Sequence, residues 1–272
     1  MEIKDLLYTQ GFKFNKALGQ NFITDKNLLS AIASDSGIGE GDTVVEIGTG
    51  AGTLTCALSD RGGRVISFEV DRNLESILAE TLKGRDNVEV VMRDVLKMKD
   101  DEILDIVGGE FSLVANLPYY VTTPIITKFL FSSLPVKSLT VMVQKEVAER
   151  ITAKPGDSEY SAISASVQLV SETQITRIVS RKLFYPSPKV DSAVIKITPV
   201  ERYSEEEKKA ALPLIKQAFL MRRKTLYNNL KGTYPPDKVL SAIRALGLSD
   251  SVRGEDLSPD TYVRLGELLS RS

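Results

Sequence analysis

An Asn-Leu-Pro-Tyr run at residues 116–119 follows the apolar, strand-like segment 111–115, and its residue types suit recognition of an exocyclic amine on a nucleobase. The side-chain oxygen of Asn116 and the backbone carbonyl of Leu117 can each accept one amine hydrogen, while the ring of Tyr119 can stack on the base. The proline of the run has a fixed φ and no N–H, which helps to aim the carbonyl before it. A simple turn followed by a core tyrosine is the alternative interpretation.

A second candidate site is the turn after the first strand-like segment, where Gly48, Gly50 and Gly52 alternate with other residues. Glycines in such a turn let the backbone approach a ligand closely, where a Cβ would clash. The spacing differs from the Gly-x-Gly-x-x-Gly dinucleotide fingerprint, and no Gly-Lys-Ser/Thr follows as in a phosphate-binding loop. We therefore expect a cofactor without phosphates, and S-adenosylmethionine suits this turn.

Two acidic residues follow the next two strand-like segments, Glu69 the second and Asp94 the third. An acid at the position of Glu69 can accept hydrogen bonds from both hydroxyls of a ribose, and Asp94 can accept one from an adenine amine. Asp94 could equally cap the short segment 95–98, and Glu69 alone could be a solvated strand end. Because ligand-type elements end three successive strands, we favour a cofactor site at the carboxyl edge of a parallel sheet.

The composition excludes several classes of chemistry. The 272 residues contain no histidine and one cysteine, Cys56, which removes Ser-His-Asp and Cys-His catalysis and any intrachain disulfide. A metal site is not expected either, since histidine and cysteine supply most zinc ligands. No apolar run is long enough to cross a bilayer, so we expect a cytoplasmic protein with no membrane partner.

The net charge of −1 argues weakly against a nucleic-acid partner, but it hides local basic clusters. Arg222, Arg223 and Lys224 form the densest of these clusters, and such a patch can bind phosphate on a protein that is neutral overall. A solvated helix face would contain the same residue types. RNA docking by these three residues, together with Lys189, is therefore a prediction.

Strand-like and helix-like segments alternate between residues 43 and 143, which predicts a mostly parallel, Rossmann-like sheet covered by helices. Two later strand-like segments, 173–179 and 192–198, have no helix between them. They predict an antiparallel hairpin at the sheet edge.

Past Pro199 the remaining segments read as helices, with Ser204 and Ser258 as N-caps. We expect an α/β domain at residues 1–200 and a small all-helical domain at residues 201–272.

Several motifs together resemble a known family. They are Leu-Gly-Gln-Asn-Phe at 18–22, Glu-Ile-Gly-Thr-Gly at 46–50, Asn-Leu-Pro-Tyr at 116–119 and Phe-Tyr-Pro-Ser-Pro-Lys-Val-Asp-Ser at 184–192, with further matches at 144–150 and 219–230. In this order they resemble the small-subunit ribosomal RNA adenine N6,N6-dimethyltransferases, whose loss gives kasugamycin resistance. The resemblance spans essentially the whole chain. It implies a class I S-adenosylmethionine-dependent methyltransferase fold followed by a helical domain that docks RNA.

The resemblance also implies the reaction, which is dimethylation of two adjacent adenines in a hairpin near the 3′ end of small-subunit rRNA, with S-adenosylhomocysteine as product and no metal. A role in small-subunit ribosome biogenesis is implied as well, with the pre-small subunit as partner. We take a monomer as the expected state.

Residue roles follow from the resemblance by position. The implied cofactor contacts lie under an N-terminal segment, residues 1–40, and comprise Asn21, Ile23, Gly48, Gly50, Glu69, Asp94 and Asn116. Asn116 stands between cofactor and target amine, and Tyr119 and Phe184 are implied as two rings that sandwich an extruded adenine. Without the resemblance, Phe184 reads as an ordinary core aromatic.

Two competing functions remain open at this point. A large-subunit rRNA adenine dimethyltransferase of the macrolide-resistance type would share cofactor and chemistry, although the Arg-Arg-Lys-Thr-Leu pattern at 222–226 favours the small-subunit enzyme. A non-catalytic RNA-binding factor of ribosome assembly is the alternative from a different class. The intact candidate residues argue against a decayed enzyme.

Overall fold

The computed structural model describes residues 3–15 and 18–270. The chain forms two compact units. The first contains the described residues up to Ala148 together with Gln174–Thr198, and the second contains Glu149–Thr173 together with the described residues from Pro199 onward.

The described residues form short helices and strands. The helices are α1 (Ile3–Thr9), α2 (Lys26–Ser36), α3 (Thr53–Ser59), α4 (Glu75–Thr81), α5 (Asp100–Val107), α6 (Thr122–Phe131), α7 (Lys145–Thr152), α8 (Ala162–Val170), α9 (Glu205–Ala218), α10 (Leu226–Leu230), α11 (Pro236–Ala245) and α12 (Pro259–Ser270). The strands are β1 (Phe22–Ile23), β2 (Thr43–Ile47), β3 (Arg64–Phe68), β4 (Val88–Val91), β5 (Phe111–Asn116), β6 (Val136–Gln144), β7 (Ser171–Val179), β8 (Phe184–Tyr185) and β9 (Ser192–Pro199).

The main sheet of the described chain has the strand order β4-β3-β2-β5-β6-β9-β7. The first five strands in this order, β4, β3, β2, β5 and β6, are parallel, and β9 runs antiparallel to β6. The predicted α/β fold, with a mostly parallel sheet and an antiparallel edge, is confirmed. Because β2, β3, β4 and β5 are parallel, their carboxyl ends meet at one edge of the sheet, where open α/β sheets bind ligands.

A second, two-stranded sheet pairs β1 with β8 in antiparallel register, Phe22 with Tyr185 and Ile23 with Phe184. This pairing could not be predicted from local pattern, since each strand has only two residues. It brings the Leu-Gly-Gln-Asn-Phe motif and the Phe-Tyr-Pro motif side by side, although they are far apart in the chain.

The second unit is helical, and it differs from the expected single segment beginning at residue 201. Residues 149–173 join it because α8 packs against α9 and α12. The predicted N-caps are present: Ser204 accepts from the backbone N–H of Glu207 at 3.3 Å, and Ser258 accepts from that of Thr261 at 3.1 Å. No helix in residues 3–15 or 18–270 is long and apolar enough to cross a membrane.

Candidate active site

A cavity of about 580 Å³ lies at the carboxyl edge of β2, β3, β4 and β5, entirely within the first unit. Its volume falls in the range of roughly 300–1,000 Å³ that small-molecule sites occupy. The predicted residues that line it are Asn21, Gly48, Gly50, Glu69, Asp94, Asn116, Leu117, Tyr119 and Phe184. The structure thus joins both candidate sites of the sequence into one.

The glycine turn forms a cradle that side chains would fill. Gly48 has φ +81°, and a Cβ there would lie 3.7 Å from Cδ of Pro118. Gly50 has φ +55°, and a Cβ there would lie 3.0 Å from the ring of Phe22. These positive φ angles are costly for other residues. The turn therefore packs against the Asn-Leu-Pro run on one side and against β1 on the other.

The Glu69 carboxylate ties the end of β3 to the glycine turn. Its Oε2 accepts the N–H of Gly50 at 2.8 Å, and its Oε1 accepts the N–H groups of Val70 and Asp71, each at 2.8 Å. A carboxylate offers about four acceptor positions, so about one remains on Glu69 in this arrangement. That position can take one ribose hydroxyl; accepting two would require one of the present bonds to move.

Asp94 serves as an N-cap and also lines the cavity. Its Oδ1 accepts the N–H of Leu96 at 3.1 Å, at the start of the 3₁₀ turn Val95–Lys97, and its Oδ2 lies 3.4 Å from Nζ of Lys97. The capping interpretation and the cofactor interpretation are therefore compatible.

The orientation of the Asn116 amide is set by the N-terminal motif. Its Nδ2 donates to the backbone carbonyl of Asn21 at 3.0 Å, so Oδ1 points away from that carbonyl within the amide plane. Leu117 donates its N–H to the carbonyl of Met142 at 3.1 Å, so β6 anchors the turn that carries the Leu117 carbonyl. The Asn116 amide oxygen and the Leu117 carbonyl are thus held in place by hydrogen bonds to Asn21 on one side and to Met142 on the other.

The two rings predicted to hold a base both line the cavity. The hydroxyl of Tyr119 lies 2.9 Å from Oγ of Ser192, and burial raises the pKa of Tyr119, an effect that the hydrogen bond to Ser192 opposes. Phe184 is largely buried and is held by the β1–β8 pairing. Ser192 is the last residue of the motif at 184–192, but its contact with Tyr119 could not be predicted from the sequence.

Some predicted residues lie elsewhere. Ile23 does not line the cavity: its side chain is buried in the core around α2, whereas its neighbour Phe22 contributes to the cavity wall. Lys189 is exposed in the first unit, outside the cavity wall. Arg222, with its neighbours Arg223 and Lys224, belongs to the second unit.

The cavity wall also contains residues that the sequence did not single out, among them Gln20, Asp71 and Tyr120. Nε2 of Gln20 donates to Oδ2 of Asp71 at 2.6 Å, and Oε1 of Gln20 accepts the N–H of Asn15 at 2.8 Å, which ties the N-terminal segment to the end of β3. Tyr120 is 57 % exposed, and partial burial together with Asp94 and Glu69 raises its pKa. Gln20 lies inside the Leu-Gly-Gln-Asn-Phe motif at 18–22, so that motif was the signal that could have identified it as a site residue.

The comparison with known families decides the identity of the chain. Residues 11–271 match the family described as ribosomal RNA adenine dimethylase. The chain belongs to this family.

Relatives of this rRNA adenine dimethylase cover nearly all of the chain. A protein of Pediococcus pentosaceus named ribosomal RNA small subunit methyltransferase A is 42% identical over 270 residues, covering 96% of this chain and 91% of its own. The protein of the same name from Clostridioides difficile is 40% identical over 273 residues, covering 98% and 94%.

Solved structures agree with the family. The chain superposes with a TM-score of 0.74 and 26% identity on the 23S rRNA methyltransferase ErmE, covering 92% of this chain and 100% of that one. A dimethyladenosine transferase from Plasmodium falciparum gives the same TM-score and identity, covering 90% and 95%. The chain is therefore an S-adenosylmethionine-dependent rRNA adenine dimethyltransferase.

The cavity of this rRNA adenine dimethylase fits such a cofactor. The Gly48–Gly50 backbone offers a cradle that a Cβ would fill, and Glu69 and Asp94 offer carboxylate acceptors beside it. Across residues 3–15 and 18–270 there is no group of three or more acidic or cysteine side chains placed to hold a metal.

A buried acid supports the cradle of the dimethylase from behind. Oε2 of Glu46 accepts hydrogen bonds from Oγ1 of Thr55 at 2.6 Å and from Oγ of Ser67 at 2.7 Å, and the Ser67 hydroxyl also lies 2.6 Å from Oγ1 of Thr49 in the turn. Burial raises the pKa of Glu46 to about 8, against the opposing effect of both hydrogen bonds. The carboxyl is therefore largely neutral at neutral pH.

Proposed function

We propose that this enzyme transfers four methyl groups to two adjacent adenines in a hairpin near the 3′ end of small-subunit rRNA, as a monomer in the cytoplasm, and that it acts on the pre-small ribosomal subunit. The observation that carries the small-subunit target is the similarity to small subunit methyltransferase A proteins, 40–42% identical over nearly the full chain. The similarity to the 23S rRNA enzyme is lower, at 26%.

The reaction at N6 is a displacement by a weak nucleophile, because the amine lone pair is delocalised into the adenine ring. S-adenosylmethionine supplies an electrophilic methyl group on a sulfonium. Oδ1 of Asn116 and the carbonyl of Leu117 accept the two amine hydrogens, which raises electron density on N6 and orients its lone pair. The fixed amide of Asn116 supports this role, since its Nδ2 is already engaged by Asn21.

The same two oxygens stabilise the positive charge that develops on N6 during attack. The cationic product loses its proton readily to water, so no strong general base is required. A chain without histidine is suited to this chemistry.

Tyr119 and Phe184 stack on the two faces of the extruded adenine. Extrusion costs a few kcal/mol, whereas stacking on aromatic rings returns roughly 1–3 kcal/mol per base. The two contributions are of similar size. Phosphate contacts by basic residues then supply the remaining affinity.

Arg222, Arg223 and Lys224 contribute to RNA docking from the turn between α9 and α10. All three are exposed, as are Leu220 and Met221 before them. Arg222 also donates to the carbonyl of Ser158 at 2.7 Å, which holds the turn in place. The triple alanine variant should reduce the slope of log affinity against log salt by about 2–3; an unchanged slope would exclude this role.

The deciding experiment is mass spectrometry of RNA after incubation with S-adenosylmethionine. Unmethylated small-subunit particles and protein-free large-subunit RNA are offered separately to the wild-type enzyme. Dimethyladenine at adjacent positions of the small-subunit RNA supports the proposal. Dimethyladenine only in the large-subunit RNA would assign the chain to the 23S type, for which the match to ErmE is the specific observation.

A non-catalytic assembly role is separable from methylation. An Asn116→Ala strain is compared with a deletion strain for growth and for accumulation of subunit precursors. Equal defects would mean that methylation is required, whereas a milder defect in the variant would reveal an assembly contribution by binding alone.

A further inference from the structure

Tyr185 presents an exposed ring beside the cavity. In β8, Phe184 is buried and contributes to the cavity wall, whereas Tyr185 lies on the opposite face of the strand, the face shared with the paired residue Phe22, and is 41 % exposed. The ring of Phe14 packs edge-on against Tyr185 with centroids 5.5 Å apart, and the next residue, Asn15, lines the cavity again. Tyr185 therefore lies next to the cavity wall, since its neighbour in sequence, Phe184, and its partner across the strand pair, Phe22, both line the cavity.

Cationic side chains accompany this ring. Nζ of Lys4 lies 5.3 Å from the centroid of Tyr185, within cation–π distance. Arg181 and Lys182 form the exposed 3₁₀ turn that leads into β8, and Arg181 donates from Nη1 to the carbonyl of the exposed Lys189 at 3.1 Å. We call these five residues the Tyr185 strip. Among the described residues, none of its four cations forms an ion pair.

The turn is held in shape by an acid. The carboxylate of Asp191 accepts the backbone N–H of Arg181 at 2.9 Å. This bond fixes the Arg181–Lys182 turn next to β8. Asp191 contributes one negative charge against the four cations of the strip, so the net charge there stays positive.

Exposed aromatic rings with cations around them are the combination that binds single-stranded nucleic acid, since the ring stacks on a base and the cations contact phosphates. A base extruded into the cavity leaves its neighbours in the strand at the rim. Tyr185 lies one residue from the ring that faces the extruded base.

We propose that the ring of Tyr185 stacks on a nucleotide adjacent to the target adenine, while Lys4, Arg181 and Lys182 contact the phosphates of the same strand. This inference rests on the proposed function, because it takes RNA at the cavity as given. It adds a binding surface for the flanking strand and assigns the strip's ring a role separate from that of Phe184.

The first test compares Tyr185→Ala with Tyr185→Phe on unmethylated small-subunit particles and on a protein-free RNA hairpin that contains the two adjacent adenines. Alanine removes the stacking platform, and we expect the KM for RNA to rise about tenfold with little change in kcat. Phenylalanine keeps the ring, and its KM should stay within about twofold of wild type. Affinity for S-adenosylhomocysteine and the thermal midpoint, measured for both variants, show whether the cavity and the packing of Phe14 are intact.

The second test addresses the cations. Lys4→Ala and Lys182→Ala should each lower the slope of log affinity against log salt by about 0.7, the change expected for one phosphate contact on a single strand. Lys83→Ala is the matched control: Lys83 is exposed just after α4, belongs neither to the strip nor to the cavity wall, and its substitution removes the same charge. Its slope should equal that of wild type.

Three results would overturn the inference. Tyr185→Ala could match wild type on the small-subunit particles, Tyr185→Phe could lose as much activity as Tyr185→Ala, or Tyr185→Ala could be impaired on the particles but equal to wild type on the hairpin, which would assign the strip to a protein partner. Each of these requires an active wild-type enzyme. Absence of wild-type dimethylation in the small-subunit RNA would instead overturn the proposed function and this inference with it.

Discussion

The hydroxyl of Tyr119 lies 2.9 Å from Oγ of Ser192, and this contact joins the ring beside the cavity to the first residue of β9. Ser192 is fully buried, so if either hydroxyl is removed, water replaces it poorly as the hydrogen-bond partner of the other. The antiparallel edge of the sheet therefore sets the orientation of a ring at the catalytic edge.

Tyr119→Phe keeps the ring and removes the hydrogen bond, so we expect kcat/KM to fall only about three- to tenfold. Tyr119→Ala removes the stacking surface and should lower it by at least about a hundredfold. Ser192→Ala should resemble Tyr119→Phe, and the double variant should be no worse than either, with a coupling of about 1 kcal/mol. Additive losses in steady-state methylation assays would show that the two residues act independently.

Asn116→Ala should lower kcat by about a hundredfold or more, since it removes an oxygen that orients and stabilises N6. Asn116→Asp should also be strongly impaired, because an ionised carboxylate cannot donate to the Asn21 carbonyl now 3.0 Å from Nδ2. Single-turnover methyl transfer from radiolabelled cofactor measures both. An aspartate variant with wild-type activity would contradict the assigned amide orientation.

Gly50→Ala should weaken binding of S-adenosylhomocysteine and destabilise the fold by about 1–2 kcal/mol, because alanine is strained at φ +55°. The added Cβ would also lie 3.0 Å from the ring of Phe22 and displace it. Gly109→Ala is the control, since nothing lies within 4 Å of its Cβ position. Calorimetric titration and urea unfolding distinguish the two; equal behaviour would mean that the turn tolerates side chains.

Glu46 should make stability depend on pH. Burial raises the pKa of Glu46 from 4.5 to about 8, so the folded state binds more protons than the unfolded state between these values. The resulting stabilisation is complete below pH 4.5 and is lost as the pH rises through 8, by at most about 1.4 kcal/mol per pH unit.

Glu46→Gln mimics the neutral form and should flatten this part of the profile. Urea unfolding of both proteins between pH 5 and pH 9 gives the comparison. Parallel profiles would mean that Glu46 titrates normally.

The order of strands and helices, the glycine turn and the Asn-Leu-Pro-Tyr run were all readable in the sequence. Local patterning determines them: alternating elements predict a parallel sheet, and a parallel sheet places the ends of β2, β3, β4 and β5 at one edge. The absence of histidine already excluded most hydrolytic chemistry. These inferences need no knowledge of which distant residues meet.

Contacts between distant segments required the tertiary structure. The pairing of Phe22 with Tyr185, the Gln20–Asp71 bond and the Tyr119–Ser192 bond each join residues far apart in the chain. Two-residue strands carry no periodic signal, so neither the exclusion of Ile23 from the cavity nor the exposure of Tyr185 could be predicted.

Residue types and their positions at strand ends were enough to specify the chemistry of this protein, namely a glycine cradle, acidic acceptors and an amide beside a ring. Which atoms of those residues remain available depends on contacts between distant segments, which the fold alone shows. Nδ2 of Asn116 is taken by Asn21, and three of the roughly four acceptor positions of Glu69 are taken by backbone N–H groups. Hydrogen bonding between segments is not encoded in local pattern, because it depends on how the chain closes on itself.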